Sequence, residues 1–203
     1  MFKRGFKSWC ENVAIQQRRE LKLQSVDPLD PWALAKHLEV DVWAPEQIPG
    51  IDPGCLKILL IDDPDSWSAV TIRMGSKDLI ILNSVHRGGR PASNLMHELS
   101  HILLNHKPAR IDITEDGLLM LNTYEKDQEE EATWLAGCLL LPRDALMSIR
   151  QHGLNQKVAA KRYGVSVDML QWRIKMTGVD YQIIHMKKRG VRSVWEKSTA
   201  KGF

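Results

Sequence analysis

His97-Glu98-Leu99-Ser100-His101 sets two histidines four residues apart with a glutamate directly after the first. At about 100° per residue the two imidazoles stand roughly 40° apart on a helix and the carboxylate about 100° from His97. Both rings can then address one ion while the acid flanks it. Leu95, Met96, Leu99, Ile102 and Leu103 collect on the opposite side. A helix from Ala92 to Asn105 is therefore expected, with one apolar stripe for a core and one stripe for chemistry. His106 falls about 180° from His97 on this wheel, so it cannot join the pair from the same helix. The longer metzincin pattern is absent, because positions 104 and 107 hold Leu104 and Lys107. Catalytic zinc takes three protein ligands and keeps a place for water, so a third ligand, expected to be a carboxylate from a second helix, has to come from elsewhere.

The stretch from Asp127 to Leu140, DQEEEATWLAGCLL, supplies such a helix. Its residues are good helix formers, the acids of the first turn suit the macrodipole, and Pro142 with Asp144 ends it and opens another. Glu129 shares a face with Thr133, Ala136 and Leu140. Glu131 points about 160° away, with Trp134, Leu135 and Cys138. Only one of the two can face the metal. Ala132, Ala136 and Gly137 are small enough for a close approach to the histidine helix.

HELSHILLNH, followed downstream by EEEATWLAGCLLLPR, resembles the ImmA/IrrE family of zinc metallopeptidases. In that family a helix with Glu, then Ala three positions on, then Asn or Asp, and a closing Leu-Leu-Met-Pro supplies the third ligand. The resemblance runs from about Asp30 to Gly178 and assigns that role to Glu129, with Ala132, Leu135, Ala136, Leu139, Leu140, Leu141 and Pro142 in register. Zn²⁺ held by His97, His101 and Glu129, with Glu98 as the catalytic general base, is what it implies. The family's Asn or Asp, which would orient a ligand histidine, is Thr133 here, and a hydroxyl does this more weakly. The implied activity is that of a zinc endopeptidase acting on a protein, a helix-turn-helix repressor of phage, mobile-element or stress genes. The alternatives are an antirepressor that binds without cleaving and a DNA-binding regulator with a structural zinc.

The chain has 203 residues with 43% hydrophobic content, enough for one mixed core and too much for disorder. Cys10, Cys55 and Cys138 are far apart and odd in number, which speaks against a disulfide framework and for the cytoplasm. No hydrophobic run resembles a secretory leader or a membrane span, so no membrane partner is expected. From Lys187 to Phe203 the net charge is +5, against +3 for the whole chain, so the remainder is slightly acidic. Such a tail is read as a solvated end more readily than as a nucleic-acid contact.

Elsewhere, Phe2 to Leu23 reads as a helix, Asp30-Pro31 caps a short one, and strands are expected at Val40 to Trp43, Leu56 to Ile61, Ser66 to Arg73 and Leu79 to Asn83. A turn at Met74 to Lys77 joins the last two. Leu79 to Asn83 is the candidate edge strand for receiving substrate. Ser84 to Pro91 reads as a flexible loop, its His86 and Arg90 near substrate or in solvent. From Asn155 to Gly178 the pattern is helix, Gly164 turn, and a second helix capped by Ser166. This hairpin is expected to pack on the core through Val165, Leu170 and Ile174, leaving Arg173 and Lys175 exposed. If it instead reads DNA, Asp168, Gln171, Arg173 and Lys175 would present. Beyond Tyr181 a short strand and the basic tail are expected.

The expected fold class is α+β: a zincin-like metallopeptidase core with a small mixed sheet packed on the histidine helix, followed by a mainly helical part. The expected divisions are an N-terminal helical extension over 1–26, the core over 27–150, the helical hairpin over 151–180 and the tail over 181–203.

Overall fold

The structure, a computed structural model, describes residues 2–74, 77–106, 110–113, 119–122 and 126–186. The expected basic tail from Lys187 and the Gly75-Ser76 turn lie outside the described residues.

A three-stranded sheet forms from β1 (Asp41–Trp43), β2 (Ala69–Met74) and β3 (Lys77–Leu82) in the order β1-β3-β2. β1 runs parallel to β3, with Val42 opposite Ile80, and β2 runs antiparallel to it, with Thr71 opposite Ile80. β3 buries Leu79 through Leu82, as a central strand should. The expectation that Leu79 to Asn83 is an edge strand is therefore corrected: the apolar run that marked it is the signature of a strand paired on both sides. Among the described residues the outer strand beside the histidine helix is β2.

Leu56 to Ile61 is helical rather than extended. Asp52 caps α3 (Pro53–Lys57), its carboxylate accepting from the Gly54 and Cys55 amides, and the chain runs on through a π-turn over Ile58–Asp62. An Asp followed by Pro at the first helical position outweighs a short apolar run, which fits either helix or strand. Between the two metal-motif helices lies a hairpin of β4 (Arg110–Ile113) and β5 (Leu119–Asn122), to which sequence reading assigned nothing.

The helices carry most of the core. α1 (Phe6–Glu20) and the histidine helix α4 (Arg90–Leu103) both pack on α5 (Lys126–Leu140), while α2 (Pro31–His37), β2 and β3 pack on α4. α5 is buried from Trp134 to Leu140. α6 (Arg143–Gln151) follows Pro142, and α7 (Gln156–Arg162) and α8 (Val167–Thr177) form the expected hairpin, with Gly164 at φ +65° and the Ser166 hydroxyl accepting from the Met169 amide. Its turn lies against the start of α4: a Cβ at Gly89 would stand 2.8 Å from the Gly164 carbonyl oxygen. Gly137 serves α8 rather than α4, since a Cβ there would stand 2.9 Å from Arg173 Cδ and from Trp172 Cζ3. Residues 179–186 are helical, which replaces the expected short strand. Among the described residues no helix is long and apolar enough to cross a membrane.

Val165, Leu170 and Ile174 pack in the core as expected, but Arg173 is fully buried. Its Nε and Nη2 donate to the Leu141 carbonyl oxygen at 3.1 and 3.0 Å, and Nη2 also donates to Glu11 Oε1 at 2.7 Å. Helical periodicity places Arg173 one position from the apolar stripe, where a guanidinium is unexpected, and the long-range partners that admit it are invisible locally. Arg173→Ala would strand the Leu141 carbonyl and part of Glu11, so chemical denaturation should show a loss of about 3 kcal/mol. Leu170→Ala should cost about 2–5 kcal/mol by leaving a cavity, and the exposed Lys175→Ala less than about 0.5 kcal/mol. Equal effects at 173 and 175 would contradict the buried network.

Candidate metal centre

α4 starts after Gly89 with Pro91 in its first turn and buries Leu95, Met96 and Leu99. That apolar anchor turns His97 and His101 outwards on one stripe, as periodicity demands. α5 presents Glu129 across the gap from its first turn. His97 Nε2 lies 3.0 Å from Glu129 Oε2 and 3.1 Å from His101 Nε2, and His101 Nε2 lies 3.3 Å from Glu129 Oε1. Ligands about 2.0–2.1 Å from a tetrahedral zinc stand about 3.3 Å from one another, so the spacing of these atoms matches a single shared ion. The three side chains keep 26%, 18% and 25% of their surface exposed, which leaves a side of the cluster open. His97, His101 and Glu129 can together hold a metal ion.

Hydrogen bonds from His101 and His97 hold the Glu129 carboxyl far below the usual carboxylate range, against the opposing pull of burial. It is therefore ionised at neutral pH, the form a cation requires. Glu98 leaves the cluster on the sheet side of α4, where the Thr71 hydroxyl of β2 donates to its Oε2 at 2.5 Å. One carboxylate oxygen is thus fixed, and the other has no hydrogen bond among the described residues. Sequence reading did not single out Thr71. Its only signal was a hydroxyl on a strand expected beside the motif.

Glu131 and His106 are the other surprise. Glu131 does point away from the cluster, yet its Oε2 lies 3.3 Å from His106 Nε2, and His106 Nδ1 lies 3.0 Å from His101 Nδ1. Burial keeps the His106 imidazole below the usual histidine range despite the Glu131 contact. Thr133, at the position of the family's orienting Asn or Asp, is exposed. The loop expectation for His86 is also corrected. It is buried, with Nδ1 3.4 Å from Asn94 Nδ2 on α4, while Arg90 pairs with Asp65 at 2.7 Å. Both side chains brace the entry to α4.

A transcriptional regulator of Mycobacterium tuberculosis aligns with 85% of this chain at 13% identity and a TM-score of 0.47; the chain spans 47% of that protein's length. No curated protein matches the sequence. The family model for the IrrE N-terminal-like domain matches residues 57–175, a span that holds the histidine helix, the Glu129 helix and most of the α7–α8 hairpin. The chain belongs to the Peptidase M78 family, that of the IrrE N-terminal-like domain.

Proposed function

We propose that this chain is a zinc-dependent endopeptidase that cleaves a protein substrate, a helix-turn-helix transcriptional repressor, in the cytoplasm. The observation that carries the peptidase reading is the convergence of His97 Nε2, His101 Nε2 and a Glu129 oxygen at 3.0–3.3 Å, with the Glu98 carboxylate on the neighbouring stripe of the same helix. The repressor as substrate rests on family resemblance alone.

Zn²⁺, when bound by His97, His101 and Glu129, supplies Lewis-acid polarisation of a scissile carbonyl and of water. Glu98 accepts the proton of the attacking water on the oxygen that Thr71 leaves free, then delivers it to the departing amine. The Thr71 hydroxyl keeps that carboxylate from swinging. A substrate strand pairs with the outer edge of β2, which brings its backbone alongside the helix that bears Glu98. This assigns to β2 the role expected of Leu79 to Asn83.

Glu129→Gln and His101→Ala should each weaken zinc binding about 10-fold or more in competition with a chromophoric chelator. Undiminished affinity in Glu129→Gln would move the third ligand elsewhere. Glu98→Gln should keep zinc and fold while lowering cleavage of a repressor encoded beside the gene by at least about 10²-fold. Cleavage is followed by gel electrophoresis, with a chelated control. If Glu98→Gln still relieves repression in cells at wild-type levels, the protein works by binding and the peptidase assignment fails.

A further inference from the structure

His101 spends Nε2 on the metal cluster, so only Nδ1 is left to fix the orientation of its ring. The atom facing Nδ1 belongs to His106, a residue that helical periodicity put on the wrong side. Its displacement has a local cause. α4 ends in a reversal in which Asn105 takes φ +52°, its amide donates to the Ile102 carbonyl at 2.9 Å, and the His106 amide donates to the His101 carbonyl at 2.9 Å. This pair of bonds around a left-handed residue is the Schellman motif, and Asn is the side-chain-bearing residue that best tolerates that conformation. His106 is thereby folded back over the last turn of α4, its backbone and its ring both bonded to the same histidine.

The hydrogen-bond chain admits a single assignment of protons once a metal occupies His101 Nε2. A neutral imidazole that ligates through Nε2 carries its proton on Nδ1, so His101 donates and His106 Nδ1 accepts. His106 then carries its own proton on Nε2, and the group waiting there is the Glu131 carboxylate, which only accepts. Each atom in the series meets the complement it needs. The side chain of His106 is 7% exposed and that of Glu131 24%, so water competes weakly for the inner bond.

We propose that Glu131 and His106 form a carboxylate–histidine relay that positions the metal ligand His101. The inference rests on the metal-site reading but not on peptidase activity. It gives His106 and Glu131 the office that the family resemblance placed at residue 133, where this chain has an exposed Thr133. It also explains why two acids of the same helix turn serve one centre from opposite directions, Glu129 directly and Glu131 through two rings. Glu131 and His106 act through His101, as positioning residues. A held ring loses less freedom on ligation, and a partner that accepts its proton makes the ligating nitrogen a stronger donor.

The test is zinc affinity, measured by chelator competition on the full chain, with circular dichroism to verify the fold. His106→Ala should bind zinc about 10- to 100-fold more weakly than wild type. His106→Gln, whose amide oxygen can accept from His101 Nδ1, should recover most of that loss. Affinity unchanged in His106→Ala, or equally low in Ala and Gln, overturns the relay. A readout that needs no variant is the imidazole tautomer seen by nitrogen-15 NMR in the zinc-loaded wild type. His106 protonated at Nε2 is the expected result, and protonation at Nδ1 overturns the proposal. A wild-type protein that takes up no zinc overturns the metal reading and this inference together, whereas wild-type binding with an indifferent His106 overturns this inference alone.

Discussion

The structure depends on how the C-terminal end of α5 is satisfied in the absence of water. Leu139, Leu140 and Leu141 are at most 1% exposed, yet a helix leaves its last carbonyls without intrahelical partners. Two buried guanidiniums answer them. Arg18, from α1, donates to the Leu139 carbonyl at 2.8 Å, and Arg173, from α8, donates to that of Leu141 at 3.0 Å. Positive charge at this end of the helix also suits the macrodipole. Burial pushes Arg18 down to about 10, which still leaves it charged at neutral pH. Glu11 ties the scheme together: one oxygen accepts from Arg173 and the other from the Arg143 amide at the start of α6.

The consequence reaches the other end of α5. A helix fixed at its C-terminus by α1 and α8 and packed along its length on α4 has little freedom to slide, so its first turn meets α4 at one height. That height brings Glu129 opposite His97 and His101. The candidate ligand set is therefore a product of four helices, α1, α4, α5 and α8, and the weak link is electrostatic rather than apolar. A buried guanidinium deprived of its carbonyl is a larger liability than a lost methyl group. The N-terminal helix, which lies outside the span matched by the family model, contributes Glu11 and Arg18 to this arrangement.

What could be read from the chain beforehand was whatever depends on period and spacing. The histidine stripe, the apolar stripe behind it, the Asp30 and Ser166 caps and the place of Glu129 all follow from helical geometry or matched motifs, and the structure has them. What could not be read depends on partners far along the chain or on where a helix stops. Arg173 looks like a surface residue until Leu141 and Glu11 are seen beside it. His106 looks misplaced only if α4 is extended past Asn105, and the left-handed residue there was the missed signal. Strand order was equally hidden, because continuous burial in β3 says that a strand is central only once it is clear what flanks it.

Placing the proposed base and two of the three candidate ligands on one helix has its own logic. His97, Glu98 and His101 share a rigid backbone, so their relative positions are set by helical geometry and need little from the surrounding loops. What remains free is the rotation of each side chain, and the fold removes that freedom from three directions. The sheet holds Glu98 through Thr71, α5 meets both rings through Glu129, and the reversal after α4 holds His101 through His106. One of these contacts also biases a protonation state: the two imidazoles that donate to Glu129 hold its carboxyl in the ionised form. The same bonds that orient these side chains therefore bring an ionised carboxylate and two imidazoles to one point, the combination a divalent cation requires.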